Sequence, residues 1–199
     1  MREEVKSRIT NGWRSYWSLK EPMRDKKLHV NIKRKLFNIC ILPVFTYGCQ
    51  SWTLTKEITN KLAIYQYAME RNMLSVKRSD KLRNCAIRYK TSTRDITLKV
   101  RKLKWRCTGH MIRGHGKWNK KGTRWYPREG KRKRGRPQKR WDDDIREVAG
   151  AMWNRVAPDR SEWKRLEEAF ADGKQIFRKS PKNNFLVTYK KIFIFRFYI

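Results

Sequence analysis

The feature that most constrains this chain is where its positive charge lies. Of 199 residues, 51 are Lys or Arg and 18 are Asp or Glu, a formal charge of +33. Residues 101–140 hold 17 Lys and Arg against a single acid, Glu129, whereas residues 141–172 hold nine acids against five basic residues. One stretch therefore carries about half of the excess. A compact state with such a field repels itself, so an anionic partner is expected to neutralise it. Nucleic acid is the first candidate, because each phosphate contact releases counterions and needs no sequence match. An anionic membrane surface is the second.

High charge with low hydrophobicity is also the signature of disorder. Nine Trp, eight Tyr and eight Phe argue against that for the whole chain. They read as core anchors, base-stacking platforms, or both. The length gives room for one domain, or one small domain with tails. Cys40, Cys49, Cys85 and Cys107 form no CxxC and no disulfide framework, and are read as reduced thiols of an intracellular protein. Met1 to Ser7 is charged and lacks the apolar core of a signal peptide. No apolar run is long enough to span a bilayer, so no membrane partner is expected.

Apolar periodicity predicts a mainly α chain, with a first helix over residues 1 to about 19 that carries Trp13, Tyr16 and Trp17 near one face. A second begins near Leu28 with the stripe Ile32, Leu36, Ile39 and Cys40, and Pro43 kinks or ends it. The third is capped by Thr55, with Ile58, Leu62, Tyr65, Met69 and Met73 on one side. Residues 77–92 read as a basic loop with a short helical piece. The fourth runs from about Arg94 to Arg113 with the stripe Ile96, Val100, Leu103, Cys107 and Met111. Residues 114–136 are loop-like. A fifth helix follows Pro137 and buries Trp141, Ile145 and Val148. A sixth follows Pro158, where Asp159 and Glu162 have the spacing of a capping box. From about Ser180 the tail loses helical periodicity and is expected to be disordered read-through, with an edge strand as the alternative.

The strongest local signal is KRKRGRPQKR, residues 131–140, in which seven of ten residues are basic. Dense cations on a backbone broken by Gly and Pro cannot pack a core but can follow phosphates. Its centre, Arg134-Gly135-Arg136-Pro137, also resembles an AT-hook, whose arginines enter a narrow A/T minor groove. A solvated basic linker or a nuclear import signal is the bland reading. Asp142-Asp143-Asp144 suggests a metal site, but basic residues precede it and a helical pattern follows, as for acids in the first turn of a helix. Cys107, His110 and His115 lack a fourth zinc ligand. Trp141 and Trp163 fit helical stripes and read as core; Trp105, Trp118 and Trp125 lie among cations, where base stacking competes with burial.

Three separated blocks carry a family resemblance. They are Leu36-Phe37-Asn38 through Leu42-Pro43 with Thr46-Tyr47-Gly48-Cys49-Gln50-Ser51-Trp52-Thr53-Leu54-Thr55; Arg101-Lys102-Leu103-Lys104-Trp105 with Gly109-His110; and Gly135-Arg136-Pro137 with Lys139 to Ile145, closed by Asp159-Arg160 and Trp163. Together they resemble the region beyond the palm in endonuclease–reverse transcriptases of insect non-LTR (LINE-like) retrotransposons, over residues 1 to about 172. The resemblance implies a parent that nicks target DNA, copies its own RNA from the nick and needs Mg²⁺ for polymerisation. The matched part lacks the aromatic-Ala-Asp-Asp hairpin and the endonuclease domain, so no catalytic residue carries over and no cofactor is expected in this fragment. Cys107 replaces an aromatic of the family's motif.

The resulting expectation is a small irregular helical bundle with a basic loop and a disordered tail. Residues 1–113 would be thumb-like, 114–140 a basic loop, 141–172 a helical pair and 173–199 a tail. RNA or DNA would be held by Arg101, Lys102, Lys104, Trp105, Lys131, Arg132, Lys133, Arg134, Arg136, Lys139 and Arg140. The rest of a reverse transcriptase is the other expected partner, and the nucleus the expected location. The alternatives are an AT-hook-like chromatin protein and a decayed element without function.

Overall fold

The structure, a computed structural model, describes residues 1–114, 116, 121–123, 135 and 139–173. The reading of the tail, and most of that of the basic loop, falls outside these residues. Among the described residues the elements are helices throughout, with no strand. In chain order they are α1 (Arg2–Ser18), α2 (Lys20–Arg24), α3 (Val30–Leu36), a π turn (Phe37–Ile41), α4 (Leu42–Phe45), a 3₁₀ turn (Cys49–Ser51), α5 (Lys56–Met73), a second 3₁₀ turn (Arg78–Asp80), α6 (Asn84–Thr91), α7 (Ile96–Arg113), α8 (Asp143–Ala149), α9 (Trp153–Val156) and α10 (Arg160–Asp172). None is long and apolar enough to cross a membrane.

The helix starts are encoded locally. Thr55 accepts the Ile58 amide at the head of α5, and Asp95 accepts those of Thr97 and Leu98 at the head of α7. Asp159 takes those of Ser161 and Glu162 at the head of α10. Each side chain satisfies amides that a helix N-terminus leaves unpaired.

Two apolar clusters lie along α7. The first gathers α1, the π turn, α4 and α5 around Phe37, Leu42, Phe45, Trp52 and Met69, and takes Ile96 and Val100 from the N-terminal half of α7. The second gathers α8, α9 and α10 around Ile145, Trp153, Trp163 and Phe170, and takes Trp105 and Ile112 from its C-terminal half. The core thus divides between Val100 and Trp105, within one continuous helix. In the first cluster α1 meets α4 so closely that a Cβ on Gly12 would lie 2.1 Å from the Phe45 ring.

Three expected stripes are rotated. In the second helical segment Ile39 and Ile32 are exposed, while Lys33, Phe37, Ile41 and Leu42 are buried. From Phe37 onward the π turn inserts one extra residue into the helical repeat, which moves the inward face to Ile41 and Leu42. Lys33 faces inward because its ammonium donates to the Met73 carbonyl at the end of α5, at 3.1 Å. On α5, Gln66 and Glu70 join the buried face and Tyr65 leaves it. On α7 the buried residues beyond Val100 are Lys104, Trp105, Thr108, Gly109 and Ile112, rather than Leu103, Cys107 and Met111.

Candidate nucleic-acid interface

Lys104 is fully buried, which corrects its assignment to a phosphate-binding surface. Its ammonium donates to the carbonyls of Trp52 at 3.1 Å and Trp141 at 2.5 Å, and pairs with Asp144 Oδ2 at 2.7 Å. It also lies 4.9 Å from the centre of the Trp141 ring. Trp141 Nε1 in turn donates to the Gln50 carbonyl at 2.7 Å. Burial holds the Lys104 pKa below the usual lysine value, and Asp144 opposes the shift. One ammonium thus joins all three blocks of the family resemblance.

Trp105 is likewise a core residue and no platform for a base. Its ring stacks on Trp163 with centroids 3.9 Å apart and planes 9° apart, and Phe170 closes the next side at 4.7 Å. The close approach requires Gly109, where a Cβ would fall 2.5 Å from Trp163 Nε1.

The flanking cations of the same motif are turned toward α10. Arg101 donates to the Ala171 carbonyl at 3.0 Å, Lys102 pairs with Glu168 at 2.7 Å, and Arg106 pairs with Glu167 at 2.7 Å. Segment 101–106 therefore fastens α10 to α7.

Asp142, Asp143 and Asp144 open α8, as their setting in the sequence suggests. Asp142 pairs with Arg146 at 2.7 Å, Asp143 accepts the Arg140 amide at 2.6 Å, and Asp144 lies between Lys104 and Lys139. These carboxylates do not fit the Mg²⁺ of a polymerase: each already faces a cation or a donor that the metal would have to displace. Cys107 is half-buried with Sγ 3.7 Å from Met111 Sδ. No group of His, Cys, Asp and Glu suited to a metal occurs among the described residues.

Lys139 and Arg140 line the mouth of an open cleft of 1090 Å³, together with Gln50, Met111, Arg146 and Trp153. Lys131, Arg132, Lys133, Arg134 and Arg136 lie outside the described residues. A second groove, of 560 Å³, runs between α7 and α10 and is lined by Arg106, His110, Arg113, Arg160, Lys164 and Glu167. Trp163 and Gly114 complete its lining. Arg160 and Lys164 are exposed. Sequence reading missed this groove because its cations come from two helices separated by the 114–140 segment. The signal was present in the i, i+4 spacing of Arg160 and Lys164 and the similar spacing of Arg106, His110 and Arg113, which puts each set on one helix face.

No protein-family model matches this chain, and no solved structure matches it. It is similar to an uncharacterized, transposon-derived protein of Caenorhabditis elegans, 30% identical over 177 residues. That match covers 80% of this chain and 62% of the relative's length. The chain is thus a homologue of a transposon-derived protein.

Proposed function

We propose that this chain is the non-catalytic C-terminal part of a retrotransposon reverse transcriptase, and that it holds RNA or DNA by its phosphate backbone. The origin is supported by the three motif blocks and by the transposon-derived homologue. The observation that carries the binding reading is the cationic groove between α7 and α10. Arg106, His110, Arg113, Arg160 and Lys164 border one groove with Glu167 as its acid. Glu167 is occupied by Arg106, so the outer cations are left to an anion from solution.

Gly114 lines the groove, and Lys139 and Arg140 line the cleft. In sequence the KRKRGRPQKR run lies beyond Gly114 and ends on Lys139 and Arg140. Residues 131–136 are thus flanked in sequence by the groove on one side and the cleft on the other. Contacts of this kind position a nucleic acid without reading its sequence. The same run suits nuclear import.

The test is competition between RNA, A/T-rich duplex and G/C-rich duplex for the full chain at fixed salt. Comparable affinities for all three are expected. A clear preference for A/T duplex that disappears with Arg136→Ala would instead establish AT-hook behaviour. Absence of binding to any of them would remove the proposal.

A further inference from the structure

α6 presents an exposed aromatic ring within a stretch of sequence rich in exposed cations. Tyr89 is 86% exposed, against 68% for Tyr47 and 38% for Tyr65. Cys85, one turn earlier on α6, is exposed as well, as is Leu82 ahead of the helix. A tyrosine left this open adds nothing to the core, and its ring is free on its faces.

The helix that presents it is nevertheless fixed. Ile87 and Thr91 are buried. Arg88 turns inward, pairs with Glu70 at 3.1 Å and Asp95 at 2.6 Å, and lies over the Tyr67 ring at 4.7 Å. Arg71 donates to Asn84 at the start of the helix. Tyr89 is therefore displayed from a rigid support rather than from a loop.

The surroundings are cationic. Arg78, Lys81, Arg83, Lys90 and Arg94 flank the ring in sequence, and none forms an ion pair among the described residues. The nearby acids are already occupied: Glu70 and Asp95 by Arg88, and Asp80 by the amide of Lys77 at 2.9 Å. α3, which packs beside α6, carries two further cations, Arg34 and Lys35. The Arg94 amide, just beyond α6, donates to Asn38 Oδ1 of the π turn at 3.3 Å, so the segments that follow the two helices meet.

A duplex hides the faces of its bases, whereas an unpaired strand offers them. An aromatic ring set among cations matches the second: the ring stacks on a base while the cations follow the phosphates. We propose that the α6 face binds an unpaired strand of nucleic acid, with Tyr89 as the stacking residue and Arg83, Lys90 and Arg94 as phosphate partners. This rests on the reading that the chain binds nucleic acid, and adds a second surface to it with a preference for single strands.

The experiment is fluorescence anisotropy of the full chain with labelled oligo(dT) and oligo(U) of about 12 nucleotides, and with a duplex of equal length. Tyr89→Ala is expected to weaken single-strand binding about tenfold and to leave duplex binding within about twofold. Tyr89→Trp is expected to keep single-strand binding, because the stacking face is retained. Arg83→Gln with Lys90→Gln is expected to weaken the single-strand complex and to flatten its salt dependence. An unchanged thermal melt shows that the fold survives each substitution. If Tyr89→Ala binds both oligonucleotides like the parent chain, or loses the duplex equally, this surface is overturned while the general binding reading stands. If the parent chain binds neither strand nor duplex, both fall.

Discussion

Trp105 and Trp163 are hydrogen-bonded to each other's backbone. Trp105 Nε1 donates to the Trp163 carbonyl at 2.8 Å, and Trp163 Nε1 donates to the Trp105 carbonyl at 3.0 Å. With their rings stacked between them, the two residues lock α10 onto α7 by two polar bonds and one aromatic contact. Both indole N–H groups are satisfied inside the core, as a buried Trp requires. A base cannot enter this stack without breaking it.

Trp105→Ala is therefore expected to cost about 3–5 kcal/mol of folding stability, from the lost ring and the cavity left behind. Urea denaturation followed by far-ultraviolet circular dichroism measures it. A near-neutral effect on stability joined to a large loss of nucleic-acid affinity would return Trp105 to the binding surface.

Gly109→Ala acts on the same contact from the other side. Its new methyl would meet Trp163 Nε1 at 2.5 Å and the end of Arg113 at 2.9 Å. Helix propensity alone favours Ala over Gly by about 1 kcal/mol. Overpacking against a fixed indole is expected to outweigh that gain and leave a net loss of about 1–2 kcal/mol. A thermal melt decides the sign, and a stabilised variant would contradict the tight approach.

Lys104 and Asp144 test the centre of the fold. Lys104→Ala is expected to cost about 3–5 kcal/mol, because it leaves Asp144 and two carbonyls without their buried partner. Replacing both residues by apolar ones of similar volume is expected to cost much less than the two single changes together. A double-mutant cycle in urea measures the coupling, and additive single effects would show that the pair does not act as a unit.

The pH dependence divides by sign. Burial raises the Asp95 pKa, but hydrogen bonds from Thr97 and Arg88, with the Arg88 charge, lower it further, and the net value lies below the usual one. Its stabilising contribution is present above the unfolded pKa and is lost as the pH falls through the folded value. Glu70 is shifted up by burial, against its bonds to Thr93 and Arg88. Its contribution is complete below the usual carboxylate pKa and is lost as the pH rises through the folded value. Asp95→Asn is thus expected to destabilise at about pH 6, with the difference shrinking as the pH falls through the folded Asp95 value. Chemical denaturation across the acid range checks this, and a constant difference would contradict it.

The sequence made the helices legible and their buried faces only partly so. Thr55, Asp95 and Asp159 act on amides two or three residues away, so the starts of α5, α7 and α10 are local facts. The misplaced faces trace to buried polar residues whose partners are distant. Lys33 is satisfied by Met73, Gln66 by the Arg94 carbonyl and the Ile96 amide, and Lys104 by Trp52, Trp141 and Asp144. Residue type alone places such side chains in water. The same difficulty affected the candidate site. Of the five residues from Arg101 to Trp105, those chosen for their charge and ring are engaged in packing α7 against its neighbours. Arg160 of α10 stood in the last motif block without being taken as a contact, and the exposed cations of α6 lay in a stretch with no distinctive motif.

The most direct test of the central claim is the slope of log affinity against log salt for the full chain on duplex DNA, compared with Arg160→Gln/Lys164→Gln. Phosphate binding gives a steep negative slope, and each lost contact reduces it by about 0.9. The expected result is a steep slope for the parent chain and a shallower one for the variant, with the melt unchanged. A flat slope for the parent chain, or a variant indistinguishable from it in slope and affinity, would contradict backbone binding through the α7–α10 groove.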